Sequence, residues 1–169
     1  LIAWVIHVTT LLFGNAEWAV RLSSPILHAG TSFACALIAK EIFGKKVYLW
    51  AGITFLTLPA VSFSSFLIST DVPLLFFWSI ALYAMLQILK TRHLSWAILL
   101  GIALGLGLLS KYAMCYFLIC SLLACGLIQK HRWFLKSYHV LISILIALVI
   151  ISPNILWNFY SGWATVTHL

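Results

Sequence analysis

The chain is 169 residues long, 64% hydrophobic and only 8% charged, with a mean hydropathy of +1.12. That much apolar side chain exceeds what a water-soluble domain of this size needs, and the long apolar runs point to membrane helices. The runs are continuous rather than alternating, which excludes a transmembrane β-barrel; the net charge of +7 is scattered between them, which points to membrane sidedness and away from nucleic acid.

The expected fold is all-α: a polytopic transmembrane helical bundle of about six spans plus an N-terminal interfacial helix. The opening Leu1-Ile2-Ala3-Trp4 has neither a Met nor a basic flank. It does not read as a signal peptide, and the chain is expected to be a fragment of a longer protein. Residues 1–13 are apolar but short, about 20 Å as a helix against a hydrocarbon core of about 30 Å. Ala3, His7 and Thr10 share one face, with Trp4, Val8 and Leu11 opposite. This predicts a helix lying on the membrane over residues 1–14, broken at Gly14-Asn15.

The first span is expected over 17–38. Glu17 and Arg21 stand four apart in the favourable order for a helical ion pair. His28 lies inside the span, where a helix–helix hydrogen bond is its simplest role and a proton or ligand role the alternative. Lys40, Glu41, Lys45 and Lys46 follow, with Gly44 as breaker. The second span covers 47–68, kinked by Pro59. Ser69-Thr70-Asp71-Val72-Pro73 then leads into the third, 74–89. Asp71 is one of only three acidic residues. Pro73 disfavours α conformation at Val72 but is itself tolerated in a helix's first turn. Asp71 would thus sit at a fixed helix mouth near the positive end of the dipole. A carboxylate there either caps the helix or does chemistry, and both readings stand.

Lys90, Arg92 and His93 end the third span. The fourth covers 96–109, where Gly101 and Gly105 form a G-x-x-x-G pair that permits close helix contact. Ser110-Lys111-Tyr112 closes it. The fifth covers 113–128, ended by Lys130, His131, Arg132 and Lys136. The sixth covers 140–152 and is expected to stop near Ser152-Pro153-Asn154. Residues 153–169 then form an aromatic, amide-rich extracytoplasmic tail with Asn154, Trp157 and Asn158. Cys35, Cys115, Cys120 and Cys125 lie in apolar runs without a C-x-x-C, and read as small core hydrophobes rather than disulfide or metal ligands.

Alternating spans place Lys40, Lys45, Lys46, Lys90, Arg92, Lys130, Arg132 and Lys136 at one face, which should be cytoplasmic. The other face receives Glu17, Arg21, Asp71, Lys111 and the tail. An acid, a lysine, a tyrosine, amides and tryptophans together suit a sugar: aromatic faces stack on it and a carboxylate binds or deprotonates hydroxyls. Lys111 suits a phosphate, or snorkels to the surface; the tryptophans and tyrosines also suit an interfacial belt.

Four stretches carry a family resemblance. They are Leu1-Ile2-Ala3-Trp4 with Phe13-Gly14 and Arg21-Leu22; Thr70-Asp71-Val72-Pro73-Leu74-Leu75; Leu109-Ser110-Lys111-Tyr112; and Ser152-Pro153-Asn154-Ile155-Leu156-Trp157-Asn158 with Gly162-Trp163. In this order they resemble membrane glycosyltransferases related to the dolichyl-phosphate-mannose–protein mannosyltransferases, a superfamily that includes bacterial aminoarabinose and galacturonic acid transferases of lipid A. The resemblance implies a C-type glycosyltransferase fold in a bacterial inner membrane. It implies transfer of a sugar from a polyprenyl-phosphate donor to a lipid, glycan or protein acceptor on the extracytoplasmic side. Asp71 matches an acidic position near that family's active site, and Lys111 a basic position to which contact with donor phosphate is extended; Tyr112, Asn154, Trp157 and Asn158 complete the expected binding set. The family's main catalytic carboxylate precedes an H-P-P in the first outer loop, so it is expected upstream of residue 1, and the fragment is expected to be inactive alone. No cofactor is expected within this chain, and any divalent metal is left to the full-length enzyme. A transporter or flippase for a lipid or sugar is the alternative; it would place ionisable groups at the membrane midplane rather than at one surface. A non-catalytic membrane scaffold is a third reading.

Overall fold

A computed structural model describes residues 1–14 and 16–160. Asn15 and the stretch with Gly162 and Trp163 lie outside the described residues. The elements run α1 (Ile2–Phe13), α2 (Glu17–Arg21), α3 (Ser23–Phe43), α4 (Tyr48–Thr57), α5 (Pro59–Ser64), α6 (Asp71–Thr91), α7 (Leu94–Ser110), α8 (Met114–Leu127), a 3₁₀ turn (Gln129–His131), α9 (Arg132–Leu135) and α10 (Tyr138–Tyr160). Among the described residues the chain is all-α, as its composition requires.

About six spans were expected; three helical stretches are long and apolar enough to cross a membrane: Glu17–Phe43, Asp71–Thr91 and Tyr138–Tyr160. A fourth exists if Met114–Leu127 and Gln129–Leu135, bent by 111°, count as one broken span. α1, α4 and α7 are apolar but shorter.

Prolines account for two of the differences. The 47–68 run breaks rather than kinks. Leu58 precedes Pro59 and is extended, at φ −61° and ψ 128°. Ser62 recovers one stranded carbonyl by donating its hydroxyl to Leu56 O at 3.2 Å. At Pro153 the outcome is reversed: α10 does not stop at 152 but runs through to Tyr160. Proline removes the N–H that would bond Val149 O, and the Ser152 hydroxyl donates to that oxygen instead, at 2.8 Å.

The helices stand in the spatial order α4, α3, α6, α7, α10, each packed on the next, with α8 against α6 and α7. The main apolar cluster joins α6, α7, α8 and α10 through Ala81, Ala84, Ile88, Leu104, Met114 and Ala147. The Gly101/Gly105 pair is the contact between α7 and α10. A Cβ on Gly101 would fall 2.7 Å from Ser143 O, and one on Gly105 2.7 Å from Ile150 Cβ. His28 is buried and its Nε2 lies 2.8 Å from Ser64 Oγ, a bond between α3 and α5. Of the four cysteines only Cys125 is buried; Cys115 and Cys120 are exposed, because much of α8 faces away from the bundle.

The bundle has two distinct ends. At one, Lys90 pairs with Glu41, the Arg92 guanidinium lies 4.2 Å over the Trp133 ring, and His139 Nε2 bonds Arg92 O. The candidate site lies at the other.

Candidate functional site at the carboxylate end of the bundle

The site is set by how α6 begins. Residues 65–70 turn back from α5 and are tied to the start of α3: Ser24 Oγ donates to Leu67 O at 2.8 Å and Arg21 Nη1 to Phe66 O at 3.4 Å. Arg21 is itself bound to Glu17 at 2.5 Å, the expected i,i+4 pair. This anchoring delivers the chain to Asp71, the first residue of α6.

One expectation about this stretch is corrected, and one of its two open readings is narrowed. Val72 is helical despite preceding Pro73, because the proline falls in α6's first turn and needs no N–H there. Asp71 is not a side-chain cap: Thr70 is the N-cap residue and no side chain caps the helix. The Asp71 carboxylate instead accepts from Lys111 Nζ at 2.6 Å and from the Ser69 hydroxyl at 3.3 Å, while Asp71 N donates to Ser69 Oγ at 3.2 Å. Its negative charge still lies at the positive end of the α6 dipole.

Lys111 reaches Asp71 because α6 and α7 are antiparallel neighbours, so the start of one lies beside the end of the other. Lys111 is the extended residue that ends α7, with φ −160° and ψ 135°. The pair is about half-exposed on both sides. An exposed ion pair of this kind contributes only about 0.2–1 kcal/mol to stability.

The next residue begins a second small network. Tyr112 Oη donates to Asn154 Oδ1 at 3.0 Å, and Asn158 Nδ2 donates to Asn154 O at 3.0 Å and Oδ1 at 3.3 Å. Asn158 is buried, while Trp157 is 57% exposed one position before it. The extension of α10 past Pro153 is what carries both asparagines to Tyr112. Asp71, Lys111, Tyr112, Asn154 and Asn158 are therefore gathered at one end, and Trp157 stands out from that group. Ser69 is the participant that residue chemistry had not singled out; its signal is the S-x-D spacing, which lets a hydroxyl bond the backbone and carboxylate two residues on.

Grooves of ≈ 440 Å³ between α3 and α4 and ≈ 480 Å³ beside the start of α10 are lined by other residues. Among the described residues no group of three His, Cys, Asp or Glu side chains is placed to hold a metal. Ionised side chains pair at the two ends of the bundle, and the polar side chains buried at depth include the neutral Ser32 and Ser143, bonded to backbone carbonyls.

Known proteins are similar to this chain in sequence. A lipid A galacturonosyltransferase of Rhizobium johnstonii is 37% identical over 169 residues, 99% of this chain and 35% of its own length. A lipopolysaccharide core galacturonosyltransferase of the same organism is 31% identical over 158 residues, 91% of this chain and 31% of its own. The chain thus spans about a third of the length of these curated relatives. No solved structure matches it significantly. The dolichyl-phosphate-mannose-protein mannosyltransferase family matches residues 1–157, and the chain, a membrane-embedded helical protein, belongs to it.

Proposed function

We propose that this chain is the membrane core of a glycosyltransferase that moves a sugar from a polyprenyl-phosphate donor to a lipid or glycan acceptor on the extracytoplasmic face. The observation that carries this reading is the Asp71–Lys111 pair at the end of the bundle opposite the lysine-rich turns. Sugar transfer to lipid A or lipopolysaccharide core, as the relatives' names give it, supports a lipid or glycan acceptor over a protein.

In the proposed reaction an acceptor hydroxyl attacks the anomeric carbon and its proton passes to a carboxylate. The bond from that carbon to the phosphate oxygen breaks, and polyprenyl phosphate leaves with the electron pair. Lys111 meets the phosphate and stabilises the charge that grows on it. Asp71 aims Lys111 before the donor arrives and, once the lysine has turned to the phosphate, is free to accept from a hydroxyl. Tyr112, Asn154 and the exposed Trp157 line the sugar's approach, and the buried Asn158 holds Asn154 in place.

The test is a transfer assay of the full-length parent in proteoliposomes, with a polyprenyl-phosphate sugar and lipid A as acceptor. Asp71→Asn that folds and inserts normally should lose most turnover; near-full activity would remove Asp71 from the chemistry.

A further inference from the structure

The groove between α3 and α4 lies away from the site just described and is built for a different ligand. Its floor is Ala36 and Gly52, small residues that keep the two helices close; a Cβ on Gly52 would come within 3.2 Å of Ser32. The hydroxyl of Ser32 already donates to Gly52 O at 2.9 Å, so the interior offers no free side-chain donor to a sugar or other polar solute. Phe33, Leu49, Ile53 and Leu56 make its walls apolar. Only one end is polar, where Lys40, Lys45 and Tyr48 line the mouth. None of the lining residues is acidic. Glu41, the nearest carboxylate in sequence, is paired with Lys90.

The dimensions identify the occupant. Ala29 to Lys40 is about 16 Å along a helix, roughly half of a 30 Å hydrocarbon core. The volume, ≈ 440 Å³, is that of a small-molecule site. The lysines lie at the α3 C-terminal end, the end opposite Asp71 and Lys111. A polyprenyl phosphate serving the proposed reaction would carry its phosphate at the wrong end of this groove.

We infer that the α3–α4 groove binds one anionic phospholipid of the leaflet on the lysine-rich side, its phosphate held by Lys40 and Lys45 and an acyl chain laid against Phe33, Leu49, Ile53 and Leu56. This assignment does not depend on the glycosyltransferase reading. The lipid would fix the angle between α3 and α4, and thereby the position of α5, whose Ser64 bonds His28.

Native mass spectrometry of the full-length protein with phosphatidylglycerol and phosphatidylcholine tests it. One phosphatidylglycerol should be retained in preference to phosphatidylcholine. Lys40→Gln with Lys45→Gln should weaken that retention by roughly twenty-five-fold, since each lysine near an anionic surface contributes about a factor of five. Lys136→Gln, a basic residue on the same side but outside the groove, should leave it unchanged. Ile53→Trp, which fills the groove, should abolish retention with both lysines present. Melting in detergent establishes that each variant is folded. Equal retention of the two lipids, an equal loss from Lys136→Gln, or no loss from the double variant would overturn the proposal. So would a full-length protein that retains no lipid because another segment occupies the groove.

Discussion

Asp71 and Lys111 neutralise each other across 2.6 Å, so a change at either one is felt by its partner. This coupling gives the two residues distinguishable kinetics. Lys111→Gln would remove the proposed charge-assisted contact to phosphate, worth about 1.5–3 kcal/mol, and is expected to raise the donor KM by roughly ten- to a hundredfold with a smaller change in kcat. Asp71→Asn keeps size and hydrogen bonding but removes charge and proton acceptance, and is expected to lower kcat by about 10²-fold. Steady-state kinetics on the full-length parent separate them. If Asp71→Asn changes only the donor KM, Asp71 acts solely by positioning Lys111. The residue's identity as a site candidate was legible from its rarity and its place at a helix mouth. Its partner was not, because Lys111 stands forty positions later and meets it only through the antiparallel packing of α6 on α7.

At the scale of elements, α10 depends on how it passes Pro153. Ser152→Ala strands Val149 O and should cost about 0.5–1.5 kcal/mol. Ser121→Ala provides the contrast: its hydroxyl donates to Leu118 O at 3.0 Å, but no proline follows to strand that carbonyl, and stability should hardly change. Thermal melting of the two variants in detergent compares them directly. The α7–α10 contact is a second point of dependence. Gly105→Leu must displace Ile150, whose Cβ would lie 2.7 Å from the new Cβ, and should cost about 1–3 kcal/mol. The same substitution at Gly126, where the nearest atom to a new Cβ is 3.8 Å away, should be tolerated. A melting temperature lowered equally by both would mean that α7 and α10 are not held by this close approach.

For the molecule as a whole, the two-ended arrangement makes a topological prediction. In a Cys-free background, Asp71→Cys and Lys111→Cys should react with a membrane-impermeant thiol reagent in intact cells, and Lys45→Cys should react only after permeabilisation. The pairs Glu41–Lys90 and Asp71–Lys111 tie α6 at its two ends, to α3 and to the end of α7, so the two groups of residues cannot share one membrane surface. Labelling of Lys45→Cys alone in intact cells would reverse the orientation and with it the side on which the proposed reaction occurs.

The sequence by itself determined the class of the protein, the separation of its charges into two ends, and the motifs that mark its family. These are local quantities: the apolar content of a run and the charge of a turn do not depend on which helices meet. Only the tertiary structure decided where helices end and which site residues touch. Pro59 and Pro153 give the same local signal, yet one ends a helix and the other lies within one. Past Pro153 the helix is retained because Ser152 takes the stranded carbonyl and because Asn154 and the buried Asn158 are fastened alongside Tyr112. That fastening is a contact between residues more than forty positions apart, and no window of the chain short of the packed bundle contains it.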